Sequence, residues 1–167
     1  GVSLVPLLLS ELQESPRAQE CLAGMDMAVT GVAHLAEVKI LLGKLHIPIL
    51  GISLQPKLDT IVRIAKLTMG RELALVCESN QYAEKIKIAL RQAGLYPAFK
   101  TLIQPNEASL REILPECGAV ILAPRLRFRV EKVLPENMEC IEFRFEPDAG
   151  SLNLLRGALL DLKGEKF

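Results

Sequence analysis

The 167-residue chain sets 20 Lys and Arg against 20 Asp and Glu, is half apolar, and holds two Tyr, five Phe and no Trp. Its apolar content is therefore mostly aliphatic, which argues against a disordered chain and against a stacking platform for single-stranded nucleic acid. Zero net charge advertises no polyanion-binding surface, and the longest apolar runs, 4–9 and 47–54, are too short to span a bilayer, so no membrane partner is expected.

Short aliphatic runs alternate with stretches of helical period, the pattern of βα units around a largely parallel sheet. Strands are expected at 3–9, 25–30, 47–54, 72–77, 98–103, 119–122 and 138–145. After Thr30, Leu35, Val38, Leu41, Leu42 and Leu45 recur at steps of three or four and predict a helix with one buried face. Leu58, Ile61, Val62 and Ala65 predict the next, opened by Pro56 and stopped by Gly70. Residues 81–92 place Ala83, Ile86, Ala89 and Leu90 on one face and close at Gly94, a left-handed cap. Asn106 caps a helix over 108–114. A last helix, 150–162, carries Leu152, Leu155, Leu159 and Leu162 in register.

Proline-marked turns follow the third and sixth strands, at Gln55-Pro56-Lys57 and Ala123-Pro124-Arg125. If the chain crosses between two small sheets there, 55–124 form one lobe and 1–54 with 125–167 the other. A single doubly wound sheet is the alternative. Cys21, Cys77, Cys117 and Cys140 form no CxxC pair and read as free buried thiols of a reducing cytoplasm. No basic segment precedes 4–9, so no signal peptide is expected, and the opening on Gly1 reads as an excised fragment.

Several stretches taken in order resemble the ligand-binding module of periplasmic-binding-protein-like sensors. Met25-Asp26-Met27-Ala28-Val29-Thr30-Gly31 is similar to the strand that closes the first lobe of that fold, and Ile47-Pro48-Ile49 to the strand leading to the crossover. Residues 70–76 with 81–94 are similar to the opening strand and helix of the second lobe. Within that superfamily, VTGVAHLAEVK (29–39) and LVCESNQYAEKIKIAL (75–90) most resemble the effector domains of GntR-type transcriptional regulators. The resemblance, over residues 25–125, implies an α/β, two-lobed sensor, not an enzyme, that binds an anionic small-molecule effector in the cleft between its lobes. It further implies a cytoplasmic homodimer that meets DNA only through a missing N-terminal winged-helix domain.

In open α/β sheets ligands bind outside the carboxyl ends of the strands. That rule selects Thr30, Gly31 and His34 after the second strand, Ser53 and Gln55 after the third, Glu78, Ser79 and Asn80 after the fourth, and Arg125 after the sixth. At Thr30-Gly31 free backbone N–H groups favour an anion, and Gly31 allows close approach. The bland reading is an N-cap at Thr30 and a surface His34. Ser79 or Asn80 equally serves as a cap for the next helix. Arg125, Arg127 and Arg129 alternate with apolar residues, so an extended segment would project three guanidinium groups to one face, with Arg125 as the anion anchor. With so few rings, a small polar anion is a better fit than a stacked base or flat cofactor.

The alternative is an enzyme. LVCESN (75–80) resembles the nucleophile strand of aspartate/glutamate racemases, with Cys77 as nucleophile, but Ala123-Pro124-Arg125 stands where the second cysteine belongs. A receiver domain would need an acidic cluster that is missing here. His46 and His34, twelve positions apart without adjacent carboxylates, give no metal site, and no cofactor is expected.

Overall fold

A computed structural model describes residues 2–67 and 70–164. In chain order the elements are α1 (Leu9–Glu14), α2 (Pro16–Leu22), β1 (Ala28–Gly31), α3 (Leu35–Leu42), β2 (Ile49–Ile52), β3 (Leu54–Pro56), α4 (Leu58–Ala65) and β4 (Leu73–Cys77). They continue with α5 (Asn80–Gln92), β5 (Phe99–Ile103), α6 (Glu107–Ile113), β6 (Ala119–Leu122), α7 (Arg127–Glu131), β7 (Glu139–Glu142), β8 (Phe145–Pro147) and α8 (Ala149–Gly164). Short 3₁₀ turns at Val32–His34, Leu114–Glu116 and Pro124–Leu126 lead into or out of helices. The chain is α/β with parallel ladders, and among its described residues no helix is long and apolar enough to cross a membrane.

The fold divides into two compact units, Gly1–Leu54 with Pro147–Phe167 and Gln55–Glu146. In the first, β1 and β2 pair in parallel from Ala28 opposite Ile49 to Gly31 opposite Ile52. Their core is Leu12, Ala18 and Leu22 from α1 and α2 against Val38 and Leu42 of α3. A Cβ at Gly51 would stand 2.9 Å from Leu35 Cδ2 of α3, so the leucine side chain would have to shift to admit one.

The second unit holds a four-stranded parallel sheet in the order β5-β4-β6-β7. Strand alternation sends Leu73, Leu75 and Cys77 to one face, packed on Ala83, Ile86 and Leu90 of α5 and Ile64 of α4. Ala74 and Val76 face the other way, onto Leu110 of α6 and Val130 of α7. A sheet covered on both faces reads as continuous apolar runs, and every residue of β4 and β6 is buried. α5 ends in a Schellman motif: Gly94 (φ +76°) donates to the Arg91 carbonyl at 3.0 Å and Leu95 to the Leu90 carbonyl at 2.9 Å.

Several sequence expectations change. Residues 2–8 form no strand. Pro6 removes a ladder donor, and the Leu8 N–H turns to Glu11 Oε2 at 2.8 Å to open α1. The long run 47–54 breaks into β2 and β3 because the Ser53 N–H is taken by Ser151 Oγ at 2.8 Å. Residues 125–146, grouped with the first lobe in the sequence reading, belong to the second unit, because β7 extends the sheet beside β6 from Ala119 opposite Glu139 to Leu122 opposite Glu142. Cys77 and Cys117 are free and buried, Cys140 is half-buried and Cys21 is exposed, so the buried-thiol reading fails for Cys21. Gly1 and residues 165–167, placed in the first lobe by the sequence reading, lie outside the described residues.

Candidate functional site

The order β5-β4-β6 makes a topological switch point: the chain leaves β4 for β5 on one side and then crosses to β6 on the other. In open α/β sheets ligands bind at the carboxyl ends of the strands beside such a point. Four of the sequence-selected residues, Glu78, Ser79, Asn80 and Arg125, belong to this edge.

β4 ends at Cys77, and Ser79, in extended backbone, caps α5 by accepting the Tyr82 N–H at 3.2 Å. Asn80 begins the helix and is exposed. β6 ends at Leu122, and the Ala123 N–H donates to the Val76 carbonyl at 2.9 Å, which ties the start of the Arg125 turn to the middle strand. Arg125 Nε stands 3.9 Å from Glu78 Oε1, with the arginine side chain 76% and the glutamate 37% exposed. A pair so open to water contributes little to folding. Its guanidinium is therefore available to another acid group.

The sequence reading missed Gln104, which closes this edge from β5. Its backbone is left-handed (φ +44°), its N–H donates to the Cys77 carbonyl at 2.8 Å, and its Nε2 donates to the Glu78 carbonyl at 3.0 Å. It missed Tyr82 as well, whose hydroxyl donates to the Phe143 carbonyl at 3.1 Å and whose ring meets Phe145 edge-on. Burial, followed by the thiol of Cys77 and the carboxylates of Glu78 and Glu142, pushes the Tyr82 hydroxyl up to about 12. No pattern in the sequence announces a positive φ at a glutamine.

The extended arginine stripe is not formed. Residues 124–126 are a 3₁₀ turn and 127–131 are α7, because Leu126, Val130 and Val133 bury at helical spacing. Arg127 donates to Glu131 at 2.6 Å and to Glu142 at 3.1 Å, Arg144 holds the other oxygen of Glu142 at 2.7 Å, and Arg129 donates to the Pro105 carbonyl at 3.2 Å. Arg125 is the one of the three alternating arginines whose side chain meets an acid only at 3.9 Å.

Cys77 lies at the end of β4 with no solvent access. Burial first, then the Glu78 carboxylate, pushes its thiol up to about 11, against a smaller lowering by Lys87. At neutral pH the sulfur is protonated, the wrong state for a nucleophile.

Thr30, Gly31, His34 and Ser53 belong to the first unit. Thr30 lies opposite Gly51 in the β1–β2 ladder. Gly31 has φ −65°, and a Cβ there would meet nothing within 4 Å, so neither conformation nor crowding requires a glycine at this position. His34 Nδ1 stands 3.9 Å from Glu37, which also accepts from Gln13 at 2.7 Å. The Ser53 carbonyl accepts from the Asp148 N–H at 3.1 Å, and with its own N–H held by Ser151 the residue joins β2 to the start of α8. Gln55 lies in β3, which pairs with β8, and is exposed.

A family model described as the YmtS Rossmann-like domain matches residues 74–166, more than half of the chain. The chain belongs to this family. The stretch matched to the YmtS Rossmann-like domain opens in β4, contains the whole switch-point edge of Glu78, Ser79, Asn80, Gln104 and Arg125, and reaches into α8. Comparison with curated proteins and with solved structures finds no match.

Proposed function

We propose that this YmtS-type Rossmann-like domain is an effector-binding sensor that takes a small anionic metabolite at the carboxyl edge between β4 and β6. The observation that carries this is the loosely paired Arg125 beside the opening of α5. A guanidinium free to re-pair, two exposed polar residues at the head of a 13-residue helix and a sheet switch point converge on one edge. Glu78 at 3.9 Å from Arg125 favours an anion that also bears a hydrogen-bond donor. Ser79 and Gln104 hold the edge in shape, one as helix cap and the other as a clamp on the Cys77 and Glu78 carbonyls.

The narrower assignment, a periplasmic-binding-protein-like effector module of a GntR-type regulator, is supported by the resemblance over residues 25–125. On that reading the domain is a cytoplasmic homodimer, and a separate winged-helix domain contacts DNA. Ligand binding shifts the population between two conformers and so changes the output.

The test is a thermal-shift screen of organic acids, amino acids and sugar phosphates on the native protein and on Arg125→Ala. A ligand at 100 times its Kd stabilises the folded state by about 2.7 kcal/mol. A rise in Tm with one or more anions that disappears in Arg125→Ala supports the reading. A flat response across all three classes overturns it.

A further inference from the structure

The outer face of the helical run through α7 presents Arg125, Phe128, Arg129 and Lys132 at steps of three, one and three, the spacing of one helix face. The face of Leu126, Val130 and Val133 is buried in the core, with Phe128 and Lys132 on the side away from it, while Arg129 lies on the flank and donates to the Pro105 carbonyl at 3.2 Å. Phe128 is 81% exposed, and among the described residues no ring and no cation is stacked on it. Lys132 is exposed and forms no ion pair among them. The neighbouring acids Glu131 and Glu142 are occupied by Arg127, on the flank between the two faces.

We infer that this ridge is a docking surface for an acidic protein segment carrying one apolar side chain, which covers Phe128 while its carboxylates meet Arg129 and Lys132. Charge complementarity selects the occupant: the ridge holds three cations around a single ring, with Glu78 near Arg125 as the acid recorded against them. The shape selects it too. Small ligands need a concavity, whereas this surface is the outside of a helix about 10 Å long. A membrane surface needs a longer amphipathic helix with more apolar area than one ring supplies, and single-stranded nucleic acid needs successive rings. The ridge shares Arg125 with the small-anion edge, but the inference rests on Phe128 and Lys132, which take no part in that edge.

The experiment uses a fluorescein-labelled twelve-residue peptide with five Glu around a central Leu, and its Gln counterpart, followed by fluorescence anisotropy against the full chain. Binding of the Glu peptide, about tenfold weaker for the Gln peptide and for Phe128→Ala and Lys132→Glu, is the expected result. Unchanged Tm in both variants shows that the fold is intact. No binding of the Glu peptide, or equal binding by Phe128→Ala, overturns the proposal. Preferential retention by phosphatidylglycerol vesicles over the peptide does so as well, assigning the ridge to a lipid surface instead. Arg125 is untouched in both variants, so failure here leaves the anion reading standing.

Discussion

A thiol raised to about 11 and a phenol raised to about 12 sit side by side at the carboxyl edge, and both shifts come chiefly from burial. Each folded-state value lies above the ordinary one, so the protonated forms favour the folded chain. The contribution from Cys77 is present below pH 9 and is lost as pH rises toward 11, with Tyr82 following one unit higher. Tm is expected to be flat near neutrality and to fall across this window, with a shallower fall in Cys77→Ala. Iodoacetamide should leave Cys77 unlabelled at pH 7 in the native protein while labelling the exposed Cys21. Fast labelling of Cys77 at pH 7 would restore the nucleophile reading. At this scale the sequence was informative where a side chain caps its own helix: Ser79 and Asn106 both accept the N–H three residues on, at 3.2 and 2.8 Å. It was silent on Gln104, whose two hydrogen bonds depend on a strand 26 residues away.

Elements were legible where one periodicity stood alone. β6 lies at 119–122 as read; α4 forms over Leu58–Ala65, but it buries Thr60 and Ile64, while Leu58, Val62 and Ala65 of the expected face are exposed. Where two periods coexist the reading failed. In 125–130 the arginines alternate at every second residue, like a strand, while Leu126, Val130 and Val133 repeat at steps of four and three. The helical period prevails: it buries Leu126, Val130 and Val133 together and leaves Phe128, which a strand would have aligned with Leu126 and Val130, in solvent. The segment 3–9 shows the opposite limit: apolar content predicted a strand, but a strand needs a neighbour, and Pro6 weakens any ladder. The central position of β6 gives a direct check. Ile121 has no solvent access and packs in the core with Leu75 and Ile141, so Ile121→Ala should cost about 2–5 kcal/mol in denaturant unfolding. A cost below about 0.5 kcal/mol, the range of surface substitutions, would contradict this placement.

At the scale of the whole molecule, each unit has an apolar core of its own among the described residues. Leu12, Ala18, Leu22, Val38 and Leu42 lie in the first unit, and the two clusters that sandwich the four-stranded sheet lie within 61–145. A fragment of residues 55–146 should therefore unfold cooperatively on its own, with far-ultraviolet dichroism of an α/β domain; a non-cooperative melt would show that its core is incomplete. The crossing at Gln55 was visible in the sequence as a proline turn, but the return was read about twenty residues early, at Pro124. Proline marks the end of β6 without saying whether the next strand joins the same sheet, and only the β6–β7 pairing decides that.

The proposed anion-binding edge joins Arg125 to the opening of α5. Its most direct test is a two-dimensional ¹H–¹⁵N NMR titration of the native chain with inorganic phosphate and then succinate, repeated on Arg125→Ala. Saturable shifts of the Ser79, Asn80, Gln81 and Arg125 amides are expected, and their loss in the variant. Shifts scattered over the surface, or unchanged in Arg125→Ala, would contradict it.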